Sequence, residues 1–246
     1  MGEIFAVLSG KGGTGKTSVC AGIATALAEE GKRVLCIDCD IGLRNLDISL
    51  GLSDSGALSF LDVCQGGYEL SQAAQHPQFK SLFFLTAPVY HRAKSVEISP
   101  FRAMIRSAKE EFDFVLLDAP AGIDSGFELA AKFADRVMLV TQSDPAAVRD
   151  AARAGQRLEA MGKKDVRLVV NRVNARLYAS MDITIDDVMD TAGLPLIGVV
   201  PEDSNVTLAA SFSQPVLKFS KRCEAAKAFE RIARRIQGFH QPITLR

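Results

Sequence analysis

The sequence predicts an α/β fold, a mostly parallel β-sheet with helices on both faces. Three observations carry this expectation. Seven short runs rich in Val, Leu, Ile and Phe recur along the chain, at 4–8, 34–37, 82–85, 114–117, 137–140, 168–170 and 196–200. They do not alternate with polar residues, which is the pattern of strands covered on both faces. Amphipathic stretches with helix start and stop signals separate most of them, and right-handed crossovers through such helices build a parallel sheet.

Taken in order, the first run ends in the glycine-rich stretch SGKGGTGKT at 9–17, and a helix is expected over 17–30. Val19, Ile23 and Leu27 fall on one stripe of that helix, and Gly31 stops it. The second run leads into Asp38-Cys39-Asp40. Beyond the third, Ser99-Pro100 offers an N-cap and a proline at the first helical position, ahead of Met104, Ile105 and Ala108. The fourth closes on Asp118. After the fifth, Asp144-Pro145 repeats the cap-and-proline device for a helix that stops near Gly162. The sixth ends at Asn171, Thr184 and Asp187 have capping-box spacing for a helix ending at Gly193, and the seventh leads to Pro201-Glu202-Asp203. No repeat, low-complexity segment or linker divides the chain, so one domain is expected over 1–246, closing in a basic helix and short tail over 218–246.

Composition narrows the function classes. The chain is 48% hydrophobic, enough at 246 residues for a substantial core. It has no run of about 18 apolar residues and begins MGEIFAVLSG, without a basic region and cleavage site, so a cytoplasmic location is expected. Five cysteines, Cys20, Cys36, Cys39, Cys64 and Cys223, lack framework spacing and read as free thiols. Cys36 and Cys39 lie three apart on an expected strand and so point to opposite faces, which argues against a redox or metal pair. Basic and acidic residues number 29 each, so no global field draws the protein to nucleic acid. The segment from Lys218 onward nevertheless carries eight basic and two acidic residues.

The chemistry is concentrated in the glycine-rich stretch. Gly10, four residues, then Gly15, Lys16 and Thr17 satisfy the phosphate-binding pattern G-x-x-x-x-G-K-[ST], between an expected strand and an expected helix start. Such a P-loop turns backbone N–H groups from Gly10 to Ser18, Gly12, Gly13 and Thr14 included, toward phosphate, and the helix N-terminus adds positive potential. Lys16 is expected on the β and γ phosphates and Thr17 on Mg²⁺. Lys11 is a second lysine that the pattern does not require. It either faces solvent or reaches charge outside its own subunit, and a cation supplied in trans stabilises a transferring phosphoryl group.

KGGTGKT resembles the deviant Walker A motif of the MinD/ParA ATPases, most closely that of the MinD branch. The likeness extends over most of the chain: residues 37–47, IDCDIGLRNLD, resemble the branch's D-x-D-x-G-L-R-N-L-D segment, and residues 117–123, LDAPAGI, its D-x-P-A-G-I segment. Val148-Arg149-Asp150 and Val200-Pro201-Glu202-Asp203 match as well. The resemblance implies a P-loop NTPase fold and hydrolysis of ATP with Mg²⁺ in an ATP-dependent homodimer, with Lys11 acting across the dimer. It implies that Asp118 holds Mg²⁺, that Asp40 orients or deprotonates the attacking water with Asp38 in support, and that Asn171 reads adenine. Pro120 and Gly122 resemble a switch segment.

The function implied is a MinD-like switch in septum site placement, with a MinC-like or MinE-like partner and Arg149-Asp150 as a candidate contact. The alternatives are a partition ATPase of the ParA type, for which Arg92, Lys94 and the basic tail leave room on DNA, and a flagellar-number positioning ATPase. An iron–sulfur carrier is disfavoured by the placement of Cys36 and Cys39, and a tyrosine kinase because a terminal tyrosine cluster would be expected, whereas the three tyrosines, Tyr68, Tyr90 and Tyr178, all lie away from the end. The branch's membrane-inserting terminal helix has no counterpart after Phe239, where seven residues interrupted by Pro242 remain. The apolar stripe Ala225, Phe229, Ile232, Ala233 and Ile236 is expected to pack on the core instead, which leaves peripheral membrane attachment open.

Overall fold

The computed structural model describes residues 1–41, 43–53, 55–88, 96–181 and 184–243. Gly42, Tyr90, Arg92, Lys94 and residues 244–246 lie outside them. Eight strands form one sheet in the order β3-β4-β2-β5-β1-β6-β7-β8. They are β1 (Glu3–Leu8), β2 (Val34–Asp38), β3 (Ala74–Gln75), β4 (Leu82–Leu85), β5 (Phe114–Asp118), β6 (Arg136–Thr141), β7 (Val166–Val173) and β8 (Leu196–Pro201). All seven expected runs are strands, and all pair in parallel. The two-residue edge strand β3 pairs antiparallel with β4 and has no apolar run to announce it.

The glycine-rich loop is followed by helix α1 (Lys16–Glu29), which is buried on nearly every side rather than along one stripe. One side meets the sheet. The other is covered by α2 (Leu46–Leu50) and by α11 (Glu224–Ile236), while α3 (Phe60–Cys64), α4 (Ile98–Glu111), α5 (Ser125–Phe133) and α6 (Pro145–Ala160) precede the remaining α7 (Ala175–Met181), α8 (Ile185–Ala192), α9 (Ser204–Ser211) and α10 (Val216–Phe219). Two apolar cores result, one on each face of the sheet. Cys36 belongs to one and Cys39 to the other, as period-two geometry requires.

Local signals set most helix ends. The Asp144 carboxylate accepts the Ala147 N–H at 3.0 Å and starts α6 at Pro145. Thr184 and Asp187 close a reciprocal capping box on α8, which ends at Gly193 in the left-handed region. The Ser99 cap is corrected: α4 begins two residues earlier, at Ile98 after Glu97, with Pro100 inside the first turn. Proline is tolerated there because the N–H groups of a first turn have no intrahelical acceptor.

The apolar stripe of α11, with Ala225, Phe229, Ile232, Ala233 and Ile236, is buried. Phe229 enters a notch that Gly22 leaves in α1: a Cβ at Gly22 would stand 2.3 Å from the Phe229 ring. Several of the α11 cations, with those just before it, are paired: Lys221 with Glu29, Lys227 with Glu224 and Arg234 with Glu30. Among the described residues no helix is long and apolar enough to cross a membrane. Gly22→Val is expected to destabilise the protein by about 1–3 kcal/mol through overpacking, measured by urea unfolding, and Phe229→Leu in the same chain to recover part of that loss.

Candidate functional site

The site is built where three parallel strands end side by side. β1 lies between β5 and β6, and β5 lies between β1 and β2, so the carboxyl ends of β1, β5 and β2 open on one edge. Ligands of open α/β sheets bind at such an edge. The register pairs Asp38 directly with Asp118 and sets Val7 opposite Asp118. The glycine-rich loop therefore leaves β1 beside two buried carboxylates.

Close packing fixes the loop. A Cβ on Gly10 would stand 2.4 Å from the Asp150 carbonyl oxygen of α6, so the loop enters against helix backbone. Gly15 has φ 83°, and a Cβ there would meet the Asn171 amide nitrogen at 2.3 Å. Both conditions select glycine. Gly122 donates its N–H to the Ser9 carbonyl at 3.1 Å, which ties the 118–123 segment to the base of the loop.

The residues present fit a phosphate group. Among the described residues, no acceptor is hydrogen-bonded to the backbone N–H of any residue from Gly10 to Ser18, a span that includes Gly12, Gly13 and the start of α1. The buried Thr14 hydroxyl oxygen likewise has no partner. Nine N–H groups at a loop and helix N-terminus suit a multivalent oxyanion.

Lys16 Nζ lies 2.6 Å from Asp118 Oδ1, with both side chains buried. Burial works against the Lys16 charge, but the adjacent Asp118 outweighs it and raises the lysine above its ordinary value. Thr17 follows on α1, half-buried. Its hydroxyl and the Asp118 carboxylate are the hard oxygen donors of the set, a chemistry that suits Mg²⁺ retaining most of its water.

Asp38 and Asp40 occupy different local structures. β2 ends at Asp38, so Asp40 sits in the following loop. The Asp38 carboxylate accepts the Asp40 N–H at 2.9 Å and the Leu46 N–H at 3.2 Å, pinching the ends of the loop together. Arg44, at φ 45°, reaches Asp47 at 2.8 Å within the same segment. Asp40 is half-exposed, and burial, with Asp118 adding to it against Lys16, raises its carboxyl above the usual range. Burial, with Asp118 next, pushes Asp38 up to about 7.

Lys11 lies at the opposite rim, half-exposed, with Nζ 3.1 Å from the Asp144 carboxylate that caps α6. Burial opposes the Asp144 charge, but the Ala147 N–H and Lys11 lower its pKa. Asn171 is buried and donates from Nδ2 to the Thr14 carbonyl at 2.7 Å. Between Gly15 and Ser18 on one side and Pro201 and Glu202 on the other runs a cleft of about 580 Å³ that Asn171 and Arg172 line. Asp144 and Arg172 escaped the sequence reading as site residues. Asp144 was legible only as a cap, and Arg172 carries no local signal.

Asp38 gives a pH dependence of known sign. Its folded pKa lies above the ordinary carboxyl value, so the native state holds the proton more tightly and stability falls as pH rises through the window toward about 7. Asp38→Asn removes this titration. Urea unfolding is expected to show the wild type losing more stability than the variant between about pH 5 and about pH 8.

Comparison with known proteins places this geometry. Residues 5–216 match the CobQ/CobB/MinD/ParA nucleotide binding domain. The chain is 38% identical to the septum site-determining protein MinD of Bacillus subtilis (strain 168), over 99% of this chain and 92% of that protein. It is 36% identical to the protein of the same name from Helicobacter pylori, over 97% of this chain and 91% of that one. Among solved structures, a chain of the MinC:MinD cell division protein complex of Aquifex aeolicus superposes with a TM-score of 0.91 at 32% identity, covering 99% of each chain. MinD of Pyrococcus horikoshii, complexed with Mg-ADP, superposes at 0.84 with 29% identity, covering 96% of each. A ParA family ATPase from Chlorobium tepidum, at 22% identity and 0.82, shares the fold. On its P-loop, its aspartate-bearing strand ends and these matches, the chain belongs to the MinD/ParA family of nucleotide-binding ATPases.

Proposed function

We propose that this protein is a MinD-like ATPase that uses ATP and Mg²⁺ to switch between a free form and a homodimer, in septum site placement. The observation that carries the reading is the buried Lys16–Asp118 pair beneath nine uncommitted loop N–H groups. This is a cradle for polyphosphate with one cation and one metal-binding carboxylate in place.

Each residue then has a task. Loop N–H groups from Gly10 to Ser18 hold the phosphates, and Lys16 neutralises their β and γ oxygens. Thr17 and Asp118 would hold Mg²⁺, which supplies charge neutralisation and an electrophilic centre when bound. Asp40 stands in a loop within the electrostatic reach of Lys16 and Asp118, where it orients water and accepts its proton. Asn171 braces the loop through Thr14 and fronts the cleft where the base is placed. One domain over 1–246 carries all of these groups.

Lys11 is assigned to the partner subunit's phosphates. Its ion pair with Asp144 joins half-exposed side chains, and such pairs contribute only about 0–1 kcal/mol. Releasing Lys11 toward a facing subunit therefore costs little. The exposed Arg149 on α6, next to Asp150 and near this rim, is proposed as part of the surface for a MinC-like or MinE-like partner. Since the α11 stripe is already buried and several of its cations are paired, α11 itself is not the element that would address a membrane or DNA.

Nucleotide binding, turnover and sedimentation velocity with ATP test the assignment. Lys16→Ala is expected to abolish ATP binding. Lys11→Ala is expected to bind ATP but lose about 10³-fold or more in hydrolysis, the scale of a cation supplied in trans, and to stay monomeric with ATP. Asp40→Ala is expected to lose about 10²–10⁴-fold in turnover and to accumulate as the ATP dimer. Normal hydrolysis by the Lys11 variant would remove the trans assignment.

A further inference from the structure

On the face of the sheet covered by α4, α5 and α6, the core does not close over the loop that follows β2. A hollow of about 660 Å³ remains, lined by Ile41 of that loop, Val96 and Ile98 at the start of α4, Leu129 of α5 and Met161 at the end of α6. Its volume lies within the roughly 300–1,000 Å³ of small-molecule sites. Ile41, Val96, Leu129 and Met161 are half-buried against the core, and Ile98 is exposed. Hydrocarbon from four segments thus borders one concave place, which favours an apolar occupant.

The charges of the lining leave positive sign in excess. Glu128 is its one acid, and Arg157 of α6 holds that carboxylate. Its two cations are Lys132 and Lys163, and neither forms an ion pair among the described residues. The Lys163 ammonium donates to the carbonyls of Ala134 at 2.7 Å and Lys132 at 3.3 Å, so backbone dipoles hold it in place without neutralising it. A complementary ligand joins an apolar body to a carboxylate.

The hollow also adjoins both loops of the nucleotide site. Ile41 directly follows Asp40. Ser125 and Gly126 line the hollow and open α5, and a Cβ on Gly126 would stand 2.2 Å from Pro120 Cγ, so that first turn packs against the segment after Asp118. We infer that this hollow is a regulatory site for a fatty carboxylate, its chain against the apolar lining and its charge drawn to Lys132 and Lys163. Such a ligand fastens the two loops in the arrangement described here. In that arrangement Lys16 is paired with Asp118, and nucleotide phosphates must compete for the lysine. Carboxylate and ATP therefore oppose each other, by the same factor in either direction. The binding stands apart from the ATPase reading; the opposition rests on it.

Isothermal titration with sodium laurate below its micelle concentration tests the site, with dodecyltrimethylammonium as the cationic control of equal chain length. One laurate is expected to bind each chain, and the control is expected not to bind. Lys132→Glu and Ile98→Glu alter exposed side chains, so both are expected to fold and to hydrolyse ATP like the wild type without laurate. Each is expected to weaken laurate about tenfold, the scale of one charge-assisted contact or one buried apolar side chain. Saturating laurate is expected to weaken ATP binding about fivefold, and ATP to weaken laurate equally. Equal binding of the two amphiphiles, or unchanged laurate affinity in both variants, would overturn the site. Laurate binding that left ATP affinity unchanged would remove its regulatory role and leave the ATPase reading intact. A wild type that bound no ATP even without laurate would overturn that reading and the opposition with it, while laurate binding still decided the site. Absence of laurate binding would reject the ligand, and a change of sedimentation in either variant would then give the hollow to a second copy of this chain.

Discussion

The contact between Lys16 and Asp118 is the constraint around which the rest of the site is arranged. Removing two opposite charges from water costs several kcal/mol for each ion, and their attraction offsets this only when geometry and surroundings are fixed. Lys16 opens α1 and Asp118 closes β5, so the pair locks the phosphate-binding helix to the centre of the sheet. The neighbouring strand then bears a consequence. Parallel register sets Asp38 beside Asp118, and a second buried carboxylate there holds its proton to about pH 7. It remains useful because its two oxygens fasten both ends of the Asp40 loop.

The two lysines of one loop thus occupy opposite physical regimes. Lys16 is buried and held by a short ion pair; Lys11, five residues earlier, is half-exposed and held by a pair that solvent screens. The same side chain is a fixed element of the cradle in one place and, in the function proposed above, a releasable arm in the other. Asp144 contributes twice on the weak side, as the cap of α6 and as the resting partner of Lys11. A change in Lys11 position is therefore felt at the N-terminus of the helix that carries Arg149.

α1 links this machinery to the body of the protein. It is buried against the sheet on one side and under α2 and α11 on the other, and Gly22 admits the Phe229 ring close to its backbone. The loops that follow β2 and β5 lack that support. Asp40 and Leu46 are fastened by Asp38, and Gly122 is tied by one N–H to Ser9. Rigid helix and lightly fastened loops are the division of labour expected where the presence of a γ phosphate must move one part and not the other.

Strand existence, parallel pairing and the identity of the phosphate loop were determined by the sequence alone, because continuous apolar runs, glycine positions and a lysine-threonine pair are local signals. The caps at Asp144 and Thr184 were legible for the same reason. The edge strand at Ala74–Gln75, the exact start of α4 and the all-round burial of α1 were not, since each is set by what packs alongside. In the site, Lys16 and Thr17 could be named from spacing, and Asp118, Asp40 and Asn171 from resemblance. Only the tertiary structure decided that Asp38 and Asp118 share a register and that Lys11 rests on Asp144 more than 130 residues away. Those are long-range pairings, and one chain's local pattern does not encode which strand ends will stand together.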